Sequence, residues 1–252
     1  MTIDRSFFPE PKPVSIATIL ELGNCFLHKG SPDFSVKDVG DLDQAAPNFL
    51  VFANSKHLKQ ELKSAYGYAL ICTTELLEEF GENILSGAEI ILVSQNPRYS
   101  FAQICSLIYP ETETDSCTIH PTAQIDESAS IAQDVTIGPF CYIAADVSIG
   151  RGSSLGAGVT CASSVKIGEE CQIADYVTLE KAILDDNVSI GQHCAVGKAG
   201  FGFESYESNI QKFPHFGRVL IGQKTSIGAH CCIDRGTIKD TTIADLVMID
   251  NM

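Results

Sequence analysis

The sequence predicts a mainly β fold, a β-helix of hexapeptide repeats preceded by a small α/β domain, and three observations carry it. Apolar residues recur every six positions at Ile119, Ile125, Ile131, Ile137, Ile143, Ile149, Leu155, Cys161, Ile167, Ile173 and Leu179. A small or β-branched residue stands two positions before most of them, as at Ala123, Val135, Cys141, Val147 and Val177, and a glycine often follows, as at Gly138, Gly150, Gly156 and Gly168. Residues 1–112 lack this beat and read instead as short helices and strands.

The amino-terminal part, residues 1–112, predicts a helix over "SIATILELG" after Pro13, strands at "NFLVFA", "GYALICT" and "EIILVS", and a helix over "RYSFAQICSLI". The stretch "YPETETDSCTIHPTA" has two prolines and no apolar run, so it is expected to connect this domain to the first coil. From residue 113 onward the period of six decides the architecture. Side chains two apart on a strand share a face, so both apolar sets point the same way. A short strand and a turn repeated every six residues buries that face only by coiling about a shared axis and stacking on its own neighbours. Each aliphatic residue is expected inside, with the following glycine opening the turn. A sandwich would space its strands by roughly 8–12 residues, which does not fit.

The beat shortens once at Leu184 and resumes at Ile190 and Val196. It breaks over about 198–218, returns at Ile221, Ile227 and Ile233, slips through Ile238 and Ile243, and reaches Ile249. An insertion that returns in phase is a loop projecting from the coil, and long loops on rigid scaffolds tend to carry function.

Composition excludes several roles. The net charge is -15, shared evenly: 16 acidic and 8 basic side chains through residue 116, then 16 and 9. Nucleic-acid binding needs clustered Lys and Arg that this chain lacks. The first residues, "MTIDRSFFPEPKP", lack the apolar run of a secretory signal, and stretches such as "EIILVS" are too short to span a membrane, so a cytoplasmic protein is expected. The ten cysteines show no Cys-x-x-Cys spacing, and several fall on the apolar beat, which reads as small buried hydrophobes. No metal site is expected. Cys231 and Cys232 point to opposite faces of a strand, and His120, His193 and His230 fall on coils that the sequence places well apart, which sets a histidine-bound zinc hydratase aside.

The order "IHPTAQID", "GFGF", "QKFPHFGRVLIG", "IGAHCCIDRGTIKDTTI" and "IDN" closely resembles the UDP-3-O-(3-hydroxyacyl)glucosamine N-acyltransferases of lipid A biosynthesis. These are hexapeptide acyltransferases with a left-handed parallel β-helix. The resemblance implies transfer of a 3-hydroxyacyl chain from acyl carrier protein to the 2-amine of UDP-3-O-acylglucosamine, by a cytoplasmic homotrimer. No resident cofactor is implied, because the phosphopantetheine arrives on the carrier. The family's uracil-gripping pattern, Phe-x-x-Asn-x-x-Tyr, falls on Phe52, Ser55 and Leu58, of which only the phenylalanine agrees; the second face of the uracil would meet an aliphatic side chain or His57. Substrate contacts are carried over to Gly200, Phe201, Gly202 and Asn251. Asp250 corresponds to the aspartate that orients the catalytic histidine.

From the residues alone, Asp250 reads first as a surface group at a coil corner, Asn251 also as a turn former, Phe52 as strand core, and Phe201 and Phe203 as packing. The family's histidine would follow Asp250 by a few positions, and none of His28, His57, His120, His193, His215 and His230 stands there. The expectation is that Met252 interrupts the β-helix and that the chain lacks activity. The alternative to an acyltransferase is thus an inactive scaffold retaining nucleotide-sugar binding. Turnover despite this would point to Asp250 or His215 as the base.

Overall fold

The computed structural model describes residues 3, 5–55, 65–110 and 118–252. Leu58 and His57 lie outside the described residues, as do residues 111–117 of the expected connector. The chain divides into two compact units, the first ending at residue 113 and the second beginning at residue 114.

In the first unit a five-stranded sheet runs in the order Phe26–Lys29, Ala88–Val93, Tyr68–Cys72, Phe49–Phe52, Asp38–Val39. Only Phe26–Lys29 is antiparallel to its neighbour. The three central strands are buried on both faces, which explains their continuous apolar runs. Leu50, Ala69, Ile71, Ile90 and Leu92 pack with Ile16, Ile19, Ile104 and Ile108 on one side, and Val51, Leu70, Cys72 and Ile91 with Leu42 and Leu85 on the other. Helix α1 (Ile16–Glu21) is capped by Ser15, α2 (Thr74–Leu85) by Thr73 and α3 (Pro97–Ile108) by Asn96, each side chain accepting an N–H of the first turn. Helix α2 and the strand Phe26–Lys29 are absent from the expected elements.

The second unit is a parallel β-helix with three faces. One face pairs Ile137, Leu155, Ile173, Ile190, Ile227 and Ile249 in register. The next pairs Ile125, Ile143, Cys161, Leu179, Val196 and Ile233. The third pairs Ile131, Ile149, Ile167, Leu184, Ile221 and Ile243. The central members of these columns are buried, and Ile125, Ile131, Ile233, Ile243 and Ile249 pack half-buried against them. Each fully buried aliphatic side chain contributes about 1.5–3 kcal/mol.

Two details of the hexad differ from expectation. The glycines after the aliphatic residues do not supply a left-handed turn. They are needed because a Cβ would strike the coil above, 2.8 Å from the Gly156 backbone at Gly138 and 2.4 Å from that of Gly168 at Gly150. The left-handed residue comes two positions later and is usually not glycine: Phe140, Asp146, Tyr176, His193 and His230 all have φ near +60°. Ile238 is not part of the beat either. It is 74% exposed, because residues 236–240 leave the coil as a second, shorter loop before Thr241–Ile243 rejoins the face. The first insertion projects as an antiparallel hairpin, Phe203–Tyr206 against Asn209–Lys212, with every strand residue exposed.

A second set of bonds ties the coils together outside the sheets. Asp175 Oδ1 accepts from the Ala157 N–H (2.7 Å), Asp186 from Glu169 (2.8 Å), Asp245 from Gln223 (2.9 Å), Asn251 from Ala229 (2.7 Å) and Asp240 from Arg218 (2.7 Å). Inside the corners, Cys141, Ser153, Cys171, Cys194 and Thr225 donate to backbone carbonyls of the next coil.

Candidate functional site

Asp250 and Asn251 follow Ile249, at the corner between the first and second faces. At the equivalent position on the five preceding coils stand Gly138, Gly156, Ala174, Gly191 and Gly228, so a carboxylate there departs from a rule set by close coil packing. The Asp250 carboxylate is exposed; its Oδ1 accepts from the Asn251 N–H at 2.7 Å, and its backbone oxygen accepts from Cys231 Sγ at 3.2 Å. Asn251 spends its side-chain oxygen on the coil below, which leaves its amide NH₂ for a ligand.

Along this corner runs a column of rings that the sequence reading separates. Tyr176 and His193 stack with centroids 5.1 Å apart and planes 6° from parallel, and His193 and His230 follow at 5.0 Å and 13°. The expectation that His193 and His230 lie on well-separated coils is corrected: they occupy adjacent coils. Most of the 36 residues between them belong to the projecting loop, which adds length and no rise. The signal was present, since each ring stands three positions after a paired aliphatic residue, Ile173, Ile190 or Ile227. Stacked imidazoles face each other through their π surfaces, so this is not a chelating pair. Among the described residues no group of three His, Cys, Asp or Glu side chains is placed to hold a metal ion.

Gly200, Phe201 and Gly202 sit at another corner, where the hairpin leaves the second face. Phe201 is 93% exposed and meets Phe203 edge-on at 4.8 Å. Both glycines have ordinary φ and serve by leaving room. A Cβ on Gly200 would lie 3.0 Å from His215 Nε2, and one on Gly202 would lie 3.3 Å from His215 Cε1. Beneath the loop, Arg235 donates to Glu180 Oε1 (2.7 Å), to the Gly197 carbonyl (2.8 Å) and to the His215 carbonyl (3.2 Å). Lys198 pairs with Asp234 at 2.7 Å, a hydrogen bond that raises the lysine pKa. One chain thus carries Asp250 and the Gly200–Gly202 loop on different corners and does not bring them together.

In the first unit Phe52 is half-buried and packs on Phe101, ring centroids 4.8 Å apart, and Ser55 is half-buried three positions on. Beyond the ends of the strands Tyr68–Cys72 and Ala88–Val93 lies an open cleft of about 750 Å³, lined by Asn24, Phe26, Thr73, Ser94 and Tyr99 among others. No residue of this cleft was singled out in the sequence.

Residues 128–163 match the bacterial transferase hexapeptide model of six repeats, and with the parallel register this gives the left-handed β-helix of that class. The chain is 31% identical over 241 residues to UDP-3-O-acylglucosamine N-acyltransferase 2 of Legionella pneumophila strain Paris, covering 95% of this chain and 68% of the relative. The chain belongs to the UDP-3-O-acylglucosamine N-acyltransferase family. Its counterpart in Acinetobacter baylyi is 30% identical, covering 88% of this chain and 61% of the relative. The chain therefore spans about two thirds of the length of these relatives. A solved structure of an Arabidopsis UDP-N-acetylglucosamine acyltransferase is 26% identical with a TM-score of 0.43, over 53% of this chain and 47% of that one. Nothing in these comparisons favours an inactive scaffold. No helix among the described residues is long and apolar enough to cross a membrane.

Proposed function

We propose that the protein transfers a 3-hydroxyacyl chain from acyl carrier protein to the 2-amine of UDP-3-O-acylglucosamine in lipid A biosynthesis, as a cytoplasmic homotrimer without a resident cofactor. Membership of the N-acyltransferase family is the observation that supports it. The amine nitrogen attacks the thioester carbonyl, the carbonyl oxygen takes up charge, and the C–S bond breaks to release the carrier thiol as the amide forms. The amine must lose a proton on the way, so a base that is neutral near pH 7 is required, and a donor must meet the oxyanion. The resemblance assigns Asp250 as the carboxylate that orients the basic imidazole, a residue that none of the six histidines of this sequence supplies at the family's position, and the free amide NH₂ of Asn251 lies beside Asp250 as a donor to substrate. Phe52 and Ser55 bear on the uracil, and Gly200, Phe201 and Gly202 on the acylated sugar.

The test supplies 3-hydroxyacyl carrier protein and UDP-3-O-acylglucosamine to the protein. Amide product is expected. Asp250→Asn removes the charge that holds the imidazole and should lower kcat by about 10²-fold or more with an unchanged melting temperature. An absence of product with the unmodified protein, or full activity of the Asn variant, would count against this reading.

A further inference from the structure

The hairpin insertion encloses a second polar feature that the acyl-transfer reading leaves unassigned, a pocket of about 390 Å³ between Lys212, Phe213, His215 and Arg235. His215 Nδ1 lies 3.0 Å from the Phe213 carbonyl oxygen. A carbonyl only accepts, so Nδ1 carries the hydrogen, and the neutral ring then presents a bare lone pair at Nε2. That nitrogen has no hydrogen-bond partner among the described residues. It faces the space left by the missing side chain of Gly200. A single point there, the place of an added Cβ, is 3.0 Å from Nε2 and 3.7 Å from Asp234 Oδ2.

Two acceptors therefore converge on one small opening, and the neighbouring cations are already occupied. Lys198 is held by the other carboxylate oxygen of Asp234, and Arg235 is spent on Glu180 and two backbone carbonyls. Because one of those carbonyls is that of His215, the backbone that carries the imidazole is anchored to the coil beneath. The group that satisfies two acceptors is a donor, and its surroundings are polar on the Asp234 side and aromatic at Phe201 and Phe203. We propose that His215 is a positioning residue whose Nε2, with Asp234, takes the hydrogen of a substrate hydroxyl at the Gly200 opening. This rests on the acyl-transfer reading, whose two substrates supply the possible hydroxyls: the 3-hydroxyl of the acyl chain or a hydroxyl of the nucleotide sugar.

Two amide variants separate reach from scaffolding. His215→Asn keeps a donor where Nδ1 stood, so the bond to Phe213 persists, but it does not extend to the opening. His215→Gln places its amide where Nε2 stood, with an oxygen able to accept. The expected result is that the Asn variant loses about tenfold in kcat/KM, the worth of one lost hydrogen bond of about 1.4 kcal/mol, while the Gln variant stays within about threefold of the unmodified protein. Both should melt at the unmodified temperature. A donor lacking the 3-hydroxyl distinguishes the sources. If the Asn deficit disappears with it, the acyl hydroxyl is read; if the deficit persists, the sugar nucleotide is. Equal activity of Asn and unmodified proteins, or parallel losses in Asn and Gln accompanied by lower melting temperatures, would overturn the proposal. No turnover by the unmodified protein would overturn the acyl-transfer reading instead. Calorimetric binding of each substrate to the same three proteins would then decide the role of His215, with weaker binding by Asn alone supporting it and equal binding by all three refuting it.

Discussion

The buried thiols of the coil show how one residue type meets two demands at a corner. Cys141, Cys171 and Cys194 fill the small inner position two residues before an aliphatic one, and each also donates to a carbonyl of the next coil. Ser153 and Thr225, fully buried, make the same bond with a hydroxyl. Burial pushes the Cys161 thiol up to about 12 and those of Cys72 and Cys105 up to about 11. The thiolate is the nucleophile, so at pH 8 these three groups are essentially unreactive. Cys232, one residue beyond a buried neighbour and on the opposite face of its strand, is exposed. In a thiol-labelling time course followed by mass spectrometry, Cys232 should react first among the described cysteines. Cys161 and Cys72, fully buried, should react only as fast as the fold opens, and rapid native labelling of Cys161 would contradict the burial. At this scale the sequence was informative wherever a side chain packs against its own repeat. It said little about Asp250, whose one local signal is a carboxylate where the corner otherwise takes Gly or Ala; the resemblance, not the spacing, singled it out. The bare Nε2 of His215 depends on a carbonyl two residues away and on a glycine fifteen residues earlier, a conjunction that no local pattern encodes.

Between elements, the most constrained point is Gly197, at the register shift in the strand Ala195–Ala199 just before the hairpin. Its φ is +88°, and a Cβ would lie 1.5 Å from the Glu180 carbonyl oxygen. Gly197→Ala is expected to cost on the order of 3 kcal/mol, through strain and displacement of the strand below. Gly23→Ala is the control: φ is +71° but nothing lies within 4 Å, so only about 1 kcal/mol of backbone cost is expected. Denaturant midpoints of the two variants would check the contrast. The strands of the coil were legible because each hexad buries its own aliphatic residue, whatever the chain does later. Helix α2 was not read, although Thr73 caps it and Leu76 and Leu77 pack inward, because Gly81 interrupts a segment of otherwise good propensity. The strand Phe26–Lys29 lies at a sheet edge with three of its four residues exposed, so alternation had little to act on. The slip at Ile238 misled the count because a loop residue happened to be aliphatic.

At the scale of the whole molecule, the second unit is a one-dimensional stack in which each coil answers to the coils above and below. The side-chain bonds from Asp175, Asp186, Asp245, Asn251 and Asp240 to N–H groups of the preceding coil extend that dependence from the faces to the corners. Surface turns ordinarily trade their amide hydrogens with solvent deuterium almost as fast as an unfolded chain. Here the Ala157, Glu169, Gln223, Ala229 and Arg218 amides can do so only when a neighbouring coil moves away, so their exchange should report the opening of the stack. They are expected to exchange at least about 100-fold more slowly than the Glu207 and Ser208 amides at the hairpin tip, which have no such partner. The Arg218 amide adds a signature in acid. The Arg218 side chain, more than the backbone N–H, holds the Asp240 carboxyl below its usual 3.8, so Asp240 binds its proton less readily folded than unfolded. The bond is then intact above that value and is lost only as the pH falls through the lower folded pKa, where Arg218 protection should fade, while the Ala229 amide, held by the uncharged Asn251, keeps its own. The corners of this molecule, which look like loops in outline, should keep the slow isotopic clock of its interior.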